Sequence, residues 1–147
     1  MPVNVSPGIP QSYCTAQDIL DRYGSAALLQ VSNLDNNTTE VDYDRVERAI
    51  QYANRTIDAR FDGSIYLVPL RTSASGIPPI VKDWAVVLAY AWLYNDKGQS
   101  DTNKNGNKMT MEVDRVRAEM MNAMALDRPK IGAVYSGIVN TPSVISL

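Results

Sequence analysis

The stretch PIVKDWAVVLAYAWLYND, Pro79–Asp96, decides how this chain can fold. Pro79 suits the first position of a helix, where its missing N–H costs nothing. After it, Ile80, Val81, Trp84, Val86, Val87, Leu88, Ala91, Trp92 and Leu93 fall on nearly every side of a 3.6-residue period. A helix without a polar face must be enclosed. Two enclosures are open to it, the centre of a bundle and a surface shared with another subunit, and both are expected. Trp84, Val87, Leu88 and Trp92 are assigned to the subunit core.

Working outward, Val46, Ile50, Ala53, Ile57 and Phe61 recur at steps of four, three, four and four, which predicts a one-sided helix over 42–61. Arg45, Glu47, Arg48, Arg55, Asp58 and Arg60 take its polar face. A shorter helix is predicted over 15–24 in TAQDILDRYG, with Thr15 as N-cap, Asp18 three residues on, and Gly24 as the stop. The polar run NLDNNTTEVD, 33–42, reads as an exposed connection. A fourth helix is predicted over 110–126, with Val113, Val116, Met120 and Met124 on one stripe. Its methionines, Met111, Met120, Met121 and Met124, suit an adaptable core or an adaptable contact surface, the core being the ordinary use. The fold class is therefore all-α, a small bundle of about four helices.

Between the second and third helices lies FDGSIYLVPL, 61–70, which is not helical in pattern. Phe61 closes the helix before it and Gly63 suits a left-handed turn. From 64 to 70, Tyr66, Val68 and Leu70 alternate with Ile65, Leu67 and Pro69, so an extended segment would be apolar on both sides. One side covers the subunit's own helices and the other needs a second cover, which makes Tyr66 and Leu67 candidate partner contacts. The ends are read as arms flanking a helical domain at 13–126. In the N-terminal arm, 1–12, Val3, Val5 and Ile9 are spaced by prolines. In the C-terminal arm, 127–147, Ile131, Val134, Tyr135, Ile138 and Val139 are too apolar for a free tail and are also assigned to a partner.

Composition narrows the chemistry. The 147 residues make about one domain. Fourteen Lys and Arg stand against sixteen Asp and Glu, a net charge of −2, with no basic face for nucleic acid or an anionic membrane. Histidine is absent, which removes the usual general base near neutral pH and the usual transition-metal ligand. The lone Cys14 rules out an internal disulfide and suits a reducing compartment. It adjoins a predicted helix N-terminus, which can activate a thiol, but an inert one is expected. The carboxylate pairs Asp42 with Asp44 and Asp58 with Asp62 sit on polar helix faces or ends, where solvation accounts for them. No phosphate-binding glycine motif is present. No enzyme activity and no cofactor are expected. The N-terminal residues show no secretory signal and the longest apolar run is too short for a bilayer, so a soluble, intracellular protein is expected.

One motif points elsewhere. In DTNKNGNKMTME, 101–112, the residues Asp101, Asn103, Asn105, Gly106 and Glu112 match the spacing of a calcium-wrapping loop. Against it, Lys108 takes a position that is normally apolar, and Lys104 adds like charge near the ion. A metal is not assigned, but a calcium-responsive helical binding module stands as the alternative function.

The order of elements resembles the Mu-like phage family of small head-tail connector, or head-completion, proteins. The resemblance rests on Tyr13, Thr15, Arg22, Tyr23 and Gly24, then Ala49, Ile50, Ala53, Ile57 and Asp58, then Tyr66, Pro69 and Leu70, and finally Pro79, Ala89, Tyr90, Leu93 and Tyr94. It covers about 13–96 and departs afterwards, where a long polar loop, a Met-rich helix and an apolar arm follow. It implies a structural virion protein, made in the host cytoplasm and placed in the head-tail neck. Such subunits assemble into a homo-oligomeric ring, usually of twelve copies, between the portal protein and a downstream connector or tail-terminator protein. Genomic DNA passes through the ring without sequence-specific binding, and no membrane is involved.

Overall fold

The computed structural model describes residues 12–34, 39–72, 74, 76–97 and 104–124. It is all-α. Among the described residues five helices follow in order: α1 Ala16–Tyr23, α2 Ser25–Ser32, α3 Tyr43–Phe61, α4 Pro79–Asp96 and α5 Lys104–Ala123.

α1 begins on the expected capping box. The Thr15 hydroxyl accepts the Asp18 amide at 3.2 Å, and the Thr15 amide donates to the Asp18 carboxylate at 2.9 Å. Gly24 ends α1 and at once opens α2, with φ 94° and ψ 158°, a region essentially reserved for glycine. α2 is an element the sequence pattern did not predict. Its amide ends have no side-chain cap, and it holds its place by burying Leu28 and Val31 and by the Ser32 hydroxyl, which accepts the Asp42 amide at 3.1 Å.

α3 follows the predicted stripe. Val46, Ile50, Ala53, Ile57 and Phe61 are all buried, and Asp42 caps the helix by accepting the Arg45 amide at 3.2 Å. Arg45 departs from its assigned polar face. Its side chain is buried, with Nε donating to the Ser32 carbonyl at 2.7 Å and Nη1 to Asp96 at 2.6 Å, so it joins α2, α3 and the end of α4.

α4 is the central helix. Every residue from 84 to 91 is buried, as are Val81, Leu93 and Tyr94. α1, α2, α3 and α5 of the same chain surround it, with α3 making the largest interface. The bundle alone therefore encloses the apolar helix, and its burial requires no second subunit. Trp84, Val87 and Leu88 lie in the core as expected, whereas Trp92 is only partly buried. Trp92 lies on the side of α4 that lines an open groove beside Tyr52 and Val113, while Leu93 and Tyr94 after it stay buried, so the core assignment of this one residue is corrected.

The connection from α3 to α4 is a strap laid on the bundle. Gly63 has φ 84°, the left-handed turn expected of it. The predicted alternation beyond it fails: the neighbours Ile65 and Tyr66 both turn inward, Leu70 is fully buried, and Leu67, Val68 and Pro69 are half-exposed. The Val68–Pro69 peptide is cis. Tyr13 pins the strap from the other side. Its hydroxyl accepts the Leu70 amide at 2.7 Å and donates to Asp58 of α3, while its own amide donates to Asn54 at 3.0 Å.

α5 starts six residues earlier than its predicted start at 110. Met109, Val116, Met120 and Ala123 are buried against the core. Met111 and Met121 are exposed, so the methionines divide between packing and surface. An ion-pair cluster also holds the helix. Arg22 of α1 pairs with Asp83 and, at 2.9 Å, with Glu112; Arg115 pairs with Asp83 at 3.2 Å and Glu119 at 3.1 Å; the Trp84 indole donates to Glu119 at 3.0 Å. No helix among the described residues is long and apolar enough to cross a membrane.

Candidate interaction surface

The residues with chemical potential are used structurally. Cys14 is buried, and burial, with the charges of Asp18 and Glu47, pushes its thiol up to about 12. A thiol so placed is almost never a thiolate at neutral pH. Of the carboxylate pairs, Asp42 is a helix cap and Asp58 accepts the Tyr13 hydroxyl. Burial raises the Asp58 carboxyl above its ordinary value, partly offset by that hydrogen bond. Asp62 caps the end of α3 through its backbone, and Asp44 is exposed.

The calcium alternative finds no support among the described residues. Asn105, Gly106 and Glu112 lie within the continuous helix α5, whose backbone cannot wrap an ion; Asp101 and Asn103 lie outside the described residues. The Glu112 carboxylate is engaged with Arg22 at 2.9 Å and Arg115 at 3.4 Å. The motif has the right residue types at the right spacing, but 104–112 is helical and docks on the core through Met109.

Between α3, α4 and α5 runs a groove of about 310 Å³, floored by Leu88 and Ala91 and walled by Tyr52, Trp92 and Val113, with Arg117 at its rim. The Tyr52 and Trp92 rings lie 6.4 Å apart at 34°, and the Arg45 guanidinium sits 5.6 Å from the centre of the Trp92 ring. An inward cation thus backs an outward indole and fixes its orientation. A second depression of about 250 Å³ lies by Tyr23, Tyr90, Tyr94 and Met109; there Tyr23 and Tyr90 stack at 3.8 Å. Burial raises the Tyr23 hydroxyl above its ordinary value, ahead of the nearby Glu112 charge.

Of the residues assigned to a partner, Tyr66 is 2% exposed and packs edge-on against Phe61, centroids 5.8 Å apart. Leu67 is half-exposed on the strap. Ile131, Val134, Tyr135, Ile138 and Val139 lie outside the described residues. The Tyr52–Trp92 groove was not foreseen. Its signal was Tyr52 itself, an aromatic residue off the core stripe of α3 and therefore facing something else.

A search of the curated proteins finds no match. A family model described as Bacteriophage Mu, Gp36 matches residues 13–128. The match begins at Tyr13, the residue that pins the strap, and runs past the end of α5, well beyond residue 96 where the sequence resemblance was taken to depart. Covering far more than half of the 147 residues, it places all five helices inside one family: the chain belongs to the bacteriophage Mu Gp36 family.

Proposed function

We propose that the protein is a structural subunit of a tailed phage particle, assembling as a homo-oligomeric ring, of twelve copies, between the portal and the next connector or tail protein. The observation that carries the proposal is the family match over 13–128. The disposition of side chains supports it. Several polar and ionisable groups tie helices together: Tyr13 and Asn54 hold the strap and α3, Arg45 joins three helices, and Arg22 and Arg115 clamp α5. The protein is proposed to perform no catalysis, its work being the presentation of surfaces. A net charge of −2 suits a wall along which DNA slides without being gripped.

In the proposed ring, Leu67 on the half-exposed side of the strap meets a neighbouring subunit, while Ile131, Val134, Tyr135, Ile138 and Val139 dock on the portal. Tyr66 serves from beneath, as the core residue that supports the strap. Heterologous ring contacts of this kind join unlike patches on successive subunits.

The test is the mass of the purified protein, alone and mixed with the portal protein of the same phage, by light scattering or native mass spectrometry. A ring that forms with the portal and contains both proteins is expected. A chain that stays free of the portal, and is absent from purified particles, would overturn the proposal.

A further inference from the structure

The groove between α3, α4 and α5 has a feature that the ring proposal does not use. Leu88, Ala91, Tyr52, Trp92 and Val113 form an apolar strip along it, edged by the polar Asn95, Asp96 and Arg117, with the indole held in place by Arg45 behind it. Fixed aromatic side chains beside an unpaired arginine are the composition of a binding hot spot; among the described residues Arg117 makes no ion pair. An occupant should bring a short run of apolar anchors.

The chain carries such a run. Ile131, Val134, Tyr135, Ile138 and Val139 are spaced i, i+3, i+4, i+7, i+8, the pattern of anchors on an amphipathic helix that lies in a groove. Gly132 and Gly137 interrupt the run, so a helix there gains little from intrinsic propensity and depends on an apolar surface to form against. The run also lies beyond residues 13–128, which the family model matches.

Distance decides between sources. Val113 lies in the groove, and the eleven residues from it to Met124 at the end of α5 rise roughly 16 Å along a helix axis. The seven residues 125–131, if extended, reach roughly 23 Å, enough to turn back and bring Ile131 level with Val113. A tether this short gives an effective concentration on the order of millimolar, so even a weak docking segment is held in cis before any second molecule arrives.

We infer that in the free subunit the segment Ile131–Val139 folds back onto its own Tyr52–Trp92–Val113 groove. The groove is an intramolecular parking site for the C-terminal segment. If the segment then serves a portal, it must leave the groove first; that consequence rests on the proposed ring, whereas the docking itself does not.

The test uses the full chain, labelled with 5-fluorotryptophan and studied alone, so its outcome is separate from whether the protein joins a portal. Two fluorine resonances are expected, and Trp92→Phe identifies the one from the groove. In the unmodified chain the Trp92 signal should respond only slightly to exchanging water for deuterium oxide. In Val134→Asp/Ile138→Asp the solvent shift of Trp92 should grow at least twofold, with the Trp84 signal unmoved as evidence that the core is intact. Both behaviours should persist on hundredfold dilution. A Trp92 signal that is fully solvent-responsive in the unmodified chain, or unchanged in the double variant, overturns the inference. Protection that disappears on dilution also overturns it, because the occupant would then be a second copy.

Discussion

The Leu70 amide donates to the Tyr13 phenol oxygen at 2.7 Å, joining residues 57 positions apart at the start and end of the helix-strap unit. The same oxygen donates to Asp58, so one hydroxyl serves the strap and α3 together. Tyr13→Phe removes both bonds while keeping the ring, and leaves the buried Leu70 amide without its partner. Such a loss costs about 1–3 kcal/mol. The expected result is a lower midpoint of urea unfolding, with faster hydrogen exchange at the Leu70 amide than elsewhere in the strap.

Asp58 gives the fold a pH dependence of unusual sign for a carboxylate. Burial raises its folded-state value above the ordinary 3.8, against the lowering effect of the Tyr13 hydrogen bond. The folded protein therefore binds this proton more tightly than the unfolded chain does. The group's contribution favours folding fully below the unfolded value and is lost as pH rises through the raised folded value. Asp58→Asn keeps an acceptor for Tyr13 without a titrating charge. The stability of the variant relative to the unmodified protein should be greater at pH 7 than at pH 3, as measured by denaturant titration at both.

Arg45 tests whether the junction of α2, α3 and α4 depends on guanidinium geometry. Lysine preserves the charge but cannot reach the Ser32 carbonyl and Asp96 in the same fork, nor spread over Trp92. The Asp96 side chain is 44% exposed, which softens the coulombic part. The hydrogen bonds of a buried charged group remain, and Arg45→Lys is expected to cost about 2 kcal/mol. Thermal unfolding measures that loss, and a red shift in Trp92 emission should accompany it in the folded variant.

Cys14 should be silent toward thiol reagents. With its thiol pushed up to about 12 and its side chain buried, iodoacetamide at pH 8 should leave the folded protein unmodified for hours. Labelling should appear in step with unfolding when denaturant is added. Rapid labelling of the native protein would contradict the packing described for α1.

The legible parts of the fold were those with a strong period. The α3 stripe and the all-round apolar α4 declared themselves because each position's burial follows from its place on a 3.6-residue wheel. α2 was missed for a physical reason. It begins directly at Gly24, which reads as a stop, has no capping side chain at its N-terminus, and spends its eight residues on a mostly apolar composition with no polar face. The early start of α5 was hidden by Asn105 and Gly106, poor helix formers that tertiary docking overrides. At the surface, Tyr66 was assigned to a partner because the segment is apolar on both sides of an extended reading, whereas Ile65 and Tyr66 both pack inward. Arg45 was read as solvated because charge alone cannot reveal that Ser32 and Asp96 converge on it.

The way α5 is fastened sets an order of loosening. α3 and α4 share the broadest apolar contact in the bundle, whereas α5 rests chiefly on α4 and is tied to α1 by Arg22 and Glu112. Half-exposed pairs of this sort weaken as ions screen them. Raising the salt concentration should therefore lower the opening energy of the fifth helix while leaving the α3–α4 hairpin nearly untouched, making the molecule a stiff spindle with one hinged stave.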